Sequence, residues 1–143
     1  MRFIYYFSWE NEILKKVDVK IVVNEKTSKI EIYKDKEVDV ISLFVNIVNQ
    51  FSKSQVNYIS MNRDDLILFM QKCVIYDIKL DNENFKDLIK FKRFPHFFIN
   101  NVFNNWSDIS NNLQYYIDLL KIDDKLDFVD AIEEIFFRIK KVF

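Results

Sequence analysis

The chain has no glycine at all, and only one proline, one cysteine and one histidine among its 143 residues. Roughly ten glycines would be usual at this length. Phosphate-binding loops, the dinucleotide fingerprint and the G-x-S-x-G nucleophile elbow all need glycine for tight turns or close backbone approach, so those chemistries are excluded. Backbone positions with φ > 0 are expected to fall instead to Asn or Asp, which tolerate that region best after glycine. Ala131 is the only alanine and Pro95 the only proline, while Ile, Lys, Asn, Phe and Tyr abound. Glycine, alanine and proline have GC-rich codons and the abundant residues AT-rich codons. An AT-rich genome, of a bacterium, phage, plasmid or virus, is the expected source.

Cys73 stands alone, which excludes an internal disulfide and any two-cysteine metal site. Net charge is −1 with a pI of about 5.9, so no global field exists for gripping nucleic acid or an anionic membrane. The apolar run in "MRFIYYFSWENE" is too short for a signal peptide, and no run approaches a membrane span. These features lead us to expect a cytoplasmic protein.

What is present is a single-domain length (residues 1–143), half of it hydrophobic and 17% aromatic. "RFIYYFSWE" alternates, with Phe3, Tyr5, Phe7 and Trp9 on one face and Ile4, Tyr6 and Ser8 on the other. That is a strand packed on both sides or beside a helix. "VDVKIVV" and "KIEIYK" alternate too, and the "NEKTS" between them predicts a five-residue hairpin loop with Asn24 left-handed. From Asp39 the period becomes helical, with Ile41, Phe44, Val45, Val48 and Phe51 in one stripe. "SQVNYISM" can return as a strand. Asn62 predicts a helix cap with Asp65 at the third position. Residues 74–80 read equally as helix or strand.

Beyond them the pattern is helical: Phe85, Leu88 and Ile89 after a cap at Asp81, then Phe98, Val102 and Trp106. "SDIS" then offers a new cap, followed by a stripe of Ile109, Leu113, Tyr116, Ile117 and Leu120. Last is a helix capped by Asp123 or Asp124 with Phe128, Ile132, Ile135, Phe136 and Ile139 inward. The expected fold is α+β: a small N-terminal antiparallel sheet, hairpin plus first strand, packed against a mainly helical C-terminal two-thirds.

"KFKRFPHFFINNVFNNW" could be a stacking platform beside the basic residues Lys86, Lys90, Lys92 and Arg93, which is how single-stranded nucleic acid is held. Its aromatics recur at helical spacing, however, so we read it as a buried corner with a rim of solvated lysines. His96 is the only imidazole and has no nucleophile motif around it, and Cys73 lies on an apolar stripe. Both read as structural. Asp18-Val19-Lys20 and Asp77-Ile78-Lys79 have the D-x-K form found in some metal-dependent nucleases, but salt-bridged strand residues explain them more simply. The acidic series Asp118, Asp123, Asp124, Asp127, Asp130, Glu133 and Glu134 is the strongest lead, because clustered carboxylates steer onto basic partners.

The sequence therefore leads us to expect a small non-enzymatic factor of inhibitor, immunity or antitoxin type. It would occlude a basic site on another protein through Asp123, Asp124, Asp127, Asp130, Glu133 and Glu134. No cofactor or metal is expected. The alternatives are a nucleic-acid-associated protein using Lys86, Lys90, Lys92 and Arg93, and a metal-dependent nuclease using Asp77 and Lys79.

Overall fold

The strand with apolar side chains on both faces lies at the centre of the sheet. In the computed structural model, which describes residues 1–87, 96–103 and 111–143, β1 (Arg2–Glu10) is flanked by β2 (Ile13–Val23) and β4 (Asn57–Ser60). β3 (Lys26–Tyr33) and β5 (His96–Phe98) form the edges, giving the order β3-β2-β1-β4-β5. β1, β2 and β3 form an antiparallel meander. β4 and β5 run parallel to β1.

Alternation along β1 divides the interior into two layers. Phe3, Tyr5 and Phe7 point to one face, under α1 (Glu37–Asn49), α2 (Arg63–Ile75) and Phe85 of α3 (Glu83–Lys86). Ile4 points to the other, with Ile59 and Ile99 of α4 (Ile99–Phe103), α5 (Leu113–Leu120) and α6 (Phe128–Val142). Helices thus cover both faces of an α+β mixed sheet.

This overturns the expected small antiparallel sheet beside a helical remainder. β4 falls within "SQVNYISM", which reads as a returning strand, whereas β5 comes from the part of the chain that reads as helical; both run parallel to β1 and extend the sheet from three strands to five. A strand such as β1, apolar on both faces, needs hydrogen-bonding neighbours on both edges, because buried backbone groups must be paired. β4 has four residues and β5 three, too few to display a period of their own. In β5 the spacing of Phe98 and Val102 mimics a helix. Instead Phe98 belongs to one layer and Ile99, which opens α4, to the other. Residues 76–80 form turn and loop after α2, neither helix nor strand.

Both hairpins turn without glycine. Asn11-Glu12 and Asn24-Glu25 have positive φ at both positions (52° and 61°, 48° and 70°), the pattern of a type I′ turn. The second hairpin loop is therefore two residues, not the five expected. Its register follows from the tight turn, with Val23 opposite Lys26 and Val17 opposite Ile32. A left-handed glutamate carries a steric cost of about 1–2 kcal/mol that glycine does not. Glu25→Gly is accordingly expected to raise stability by about 1 kcal/mol, read as a shift in urea midpoint with unchanged slope.

Caps also differ from expectation in three helices, α5 being capped by Asn112 rather than from within "SDIS", which lies outside the described residues. Asn62 caps α2, accepting from the Asp65 N–H at 2.8 Å, as its spacing predicts. For α3 the cap is Asn82 rather than Asp81, and for α6 it is Asp127 rather than Asp123 or Asp124. Asn82 is fully buried because its amide also bonds the Val48 carbonyl and the Tyr58 hydroxyl, each at 2.8 Å. The carboxylate of Asp81 has no N–H to donate to those acceptors.

Candidate functional site

Alternation in the sheet and helical spacing in α6 together settle where the acidic series points. Val19 and Ile21 face the α1 layer, so Lys20 rises from the opposite face, toward α6. Lys29 on β3 and Arg2 on β1 rise beside it. Asp127, Asp130 and Glu133, spaced three apart on α6, meet them. Lys20 Nζ donates to Asp130 Oδ1 and Glu133 Oε1, both at 2.7 Å. Lys29 Nζ donates to Asp127 Oδ2 at 2.8 Å and to Asp130 Oδ2. Arg2 Nε reaches Glu133 Oε2 at 3.3 Å. Burial by itself would raise the Asp130 carboxyl, but hydrogen bonds and charge from Lys20 and Lys29 hold it below its ordinary value. The same pairs hold both lysines above theirs, against the opposing effect of burial.

Three of the six carboxylates expected to meet a partner are thus engaged with the protein's own sheet. Glu134 pairs with Arg138 at 3.1 Å on the surface. Asp123 and Asp124 remain outward. The Asp123 carboxylate accepts the Lys125 N–H at 3.0 Å, and Asp124 is exposed. Neither forms an ion pair among the described residues.

These two carboxylates lie on the connection between α5 and α6, a corner fixed from beneath. Lys121 ends α5 in a left-handed conformation (φ 54°), and the Ile122 N–H bonds the Ile117 carbonyl at 3.0 Å. Ile122 is buried, and Arg138 Nη1 donates to the Leu120 carbonyl at 2.7 Å, tying the end of α5 to α6. Exposed on the same stretch, residues 115–128, are Tyr115 (47%), Leu119 (59%), Leu126 (36%) and Phe128 (44%, its ring 4.7 Å from that of Tyr6), together with Asp118. Periodicity leaves Tyr115 and Leu119 off the inward stripe of Leu113, Tyr116, Ile117 and Leu120, and the structure has both exposed.

The other candidate residues are dispersed. Lys86 donates to the Leu80 carbonyl at 3.1 Å and pairs with Glu83 at 2.9 Å, while Lys90, Lys92 and Arg93 lie outside the described residues, as do Pro95 and Trp106. His96 is buried, its ring stacked against Tyr58 and Phe98 at 5.1 and 5.2 Å, and its Nε2–H donates to the Phe85 carbonyl at 2.5 Å. Burial lowers its pKa to about 4, so the ring is neutral. Burial pushes the Cys73 thiol up to about 11, the signature of an inert core cysteine.

The two D-x-K triplets differ in setting. Asp18 and Lys20 are strand residues, with Lys16 at 3.5 Å from Asp18. Asp77 sits left-handed in the loop after α2, with Lys79 at 3.6 Å from Asp81. No group of three His, Cys, Asp or Glu among the described residues could hold a metal ion.

Two features are not apparent from the sequence. A groove of about 470 Å³ opens beside the end of α2, lined by Met70, Cys73, Val74, Ile78, Leu80 and Lys86, with Asp77 and Lys79 at its rim. At the carboxyl ends of β1 and β4, desolvation raises the Asp65 carboxyl to about 6, opposed by the Asn62 side chain and the Trp9 indole beside it. Among the described residues no helix is long and apolar enough to cross a membrane. No family model, curated protein or solved structure matches the chain.

Proposed function

We propose that the protein is a non-enzymatic binding factor of inhibitor, immunity or antitoxin type, acting through the α5–α6 corner on a basic site of another protein. The observation that supports this reading is the pairing of outward carboxylates with outward apolar side chains on a fixed turn. Asp118, Asp123 and Asp124 share the stretch 115–128 with Tyr115, Leu119, Leu126 and Phe128, all exposed. Aromatic and aliphatic anchors within a polar rim are how protein interfaces gain affinity. Unneutralised carboxylates add steering and select a basic partner. The mechanism is occlusion: the corner covers the partner's site, and no bond is made or broken.

The footprint is displaced from the one read from sequence. Asp123 and Asp124 stay within it, whereas Asp127, Asp130 and Glu133 act from behind by fixing α6 to the sheet. A tagged full-length chain is to be incubated with source-cell extract at moderate salt, with and without added nuclease. One stoichiometric protein that survives nuclease is the expected result. Nucleic acid that co-purifies and disappears with nuclease would transfer the function to Lys86 and its basic neighbours and end this proposal.

A further inference from the structure

We propose that β3 is a self-association surface, pairing antiparallel with β3 of a second copy about a two-fold axis through Ile30. β3 is an eight-residue edge strand, bonded on one side to β2 and on the other to nothing among the described residues. Such an edge presents a row of backbone donors and acceptors that templates another strand.

The side chains select the register. In an antiparallel ladder, residues that face each other either both turn their N–H and C=O toward the partner or both turn away. Successive residues alternate, so a symmetric pairing must be centred on a residue, never between two. Centring on Lys29 sets Lys29 against itself, and centring on Glu31 sets Glu31 against itself. Like charges directly opposite are unfavourable. Centring on Ile30 places Lys29 opposite the partner's Glu31 twice over, Ile30 opposite Ile30, and Thr27 opposite Tyr33. Centres nearer either end leave much of the strand unpaired.

The exposures agree with that choice. Although Lys29 bonds Asp127 and Asp130 and Glu31 pairs with Lys16 at 3.2 Å, their side chains are still 43% and 64% exposed, leaving both able to reach across. Tyr33 is 67% exposed, so packing on a partner's Thr27 would cover it. Ile30 is already packed at the margin of the α1 layer, so two copies would join those layers through their isoleucines. The resulting sheet would have ten strands. This surface is separate from the α5–α6 corner, and its success or failure leaves the proposed partner binding unaffected.

Cross-linking tests the register directly. In a Cys73→Ser background, Ile30→Cys brings two thiols opposite each other with Cα atoms about 4.5–5.5 Å apart, within disulfide reach. Ser28→Cys, four residues off register, leaves its thiols roughly 13 Å apart. Mild oxidation is expected to convert the Ile30→Cys chain to a covalent dimer at least tenfold faster than the Ser28→Cys chain. Adding Glu31→Lys, a change at an exposed position, should abolish that difference. Sedimentation equilibrium of the unmodified chain gives a second measure, with mass expected to rise with concentration toward twice 17.5 kDa. Equal, slow cross-linking of both cysteine variants, or a constant monomer mass, would overturn the proposal. Capture of a different protein's strand at this edge would overturn it as well.

Discussion

Phe44→Ala is expected to destabilise the fold by about 3–5 kcal/mol, the range for deleting a fully buried phenyl ring. Phe44 has no exposed surface and lies where α1 meets the sheet. Its ring contacts those of Phe3, Tyr5, Phe7, Phe69 and Phe85 at centroid distances between 5.3 and 6.1 Å. That joins two helices, β1 and α3 in one aromatic cluster. Deleting the ring removes its transfer free energy and leaves a cavity that rigid neighbours fill only in part. Against a total of about 5–15 kcal/mol, the variant would be close to unfolding at room temperature. Urea titration checks this, with Val142→Ala as control because Val142 is 75% exposed. A loss below about 1 kcal/mol at Phe44 would mean that α1 does not pack on this face.

The second large effect is on acid stability, where two groups of opposite sign oppose each other. His96 falls from an ordinary 6.5 to about 4 because it is buried among Tyr5, Tyr58, Phe85 and Phe98. Its folded pKa is depressed, so the unfolded chain binds the proton more readily. The stability it contributes is present above about pH 6.5 and is lost as pH falls through about 4, by about 3 kcal/mol in all. Asp65 moves the other way, from 3.8 to about 6, chiefly by desolvation, with Asp64 adding to it and Asn62 and Trp9 opposing it. Its ionised form is disfavoured in the fold. That cost is present above about pH 6 and is relieved as pH falls toward 3.8.

Between about pH 6 and 4.5 the two slopes therefore largely cancel in the natural chain. Asp65→Asn keeps the side-chain size and the backbone N–H that Asn62 accepts but removes the compensating titration. The variant is expected to match or exceed natural stability near neutral pH and to lose about 2–3 kcal/mol by about pH 4.5, where the natural chain changes little. Denaturant midpoints across the pH series measure it. Parallel slopes for the two proteins would show that Asp65 does not titrate in this window. Below that range Glu37 and Asp130, both held below their ordinary values, add acid lability to either chain.

Much of the fold was legible where a segment is long and has one dry face. β1, β2, α1 and the cap of α2 follow from alternation, helical period and Asn62. β5 was not legible, because in a three-residue strand the pairing with β4 outweighs any local preference, and Phe97 and Phe98 sit equally well in a helix pattern. The first hairpin turn was missed because Asn11-Glu12 lacks the glycine that normally marks a type I′ turn. The repeated pair Asn-Glu, at 11–12 and again at 24–25, was the available signal.

At the candidate site the acids were visible but their direction was not. Asp130 and Asp124 look alike in sequence, yet Asp130 meets Lys20 across 110 residues of chain while Asp124 meets solvent. Lys20 itself could be placed on the face opposite Val19, but nothing local says that α6 would lie over that face.

The division of the acidic series is tested most directly by two variants compared side by side, Asp123→Lys/Asp124→Lys and Asp130→Asn, each scored for partner capture from extract and for melting temperature. The double reversal is expected to lose the partner by at least about tenfold, more than 1.4 kcal/mol of affinity, and to melt with the natural chain. Asp130→Asn is expected to keep the partner and to melt lower, because Lys20 and Lys29 lose a shared carboxylate. The opposite pattern, with capture lost on Asp130→Asn and retained after reversal at Asp123 and Asp124, would contradict the assignment of the α5–α6 corner as the binding surface.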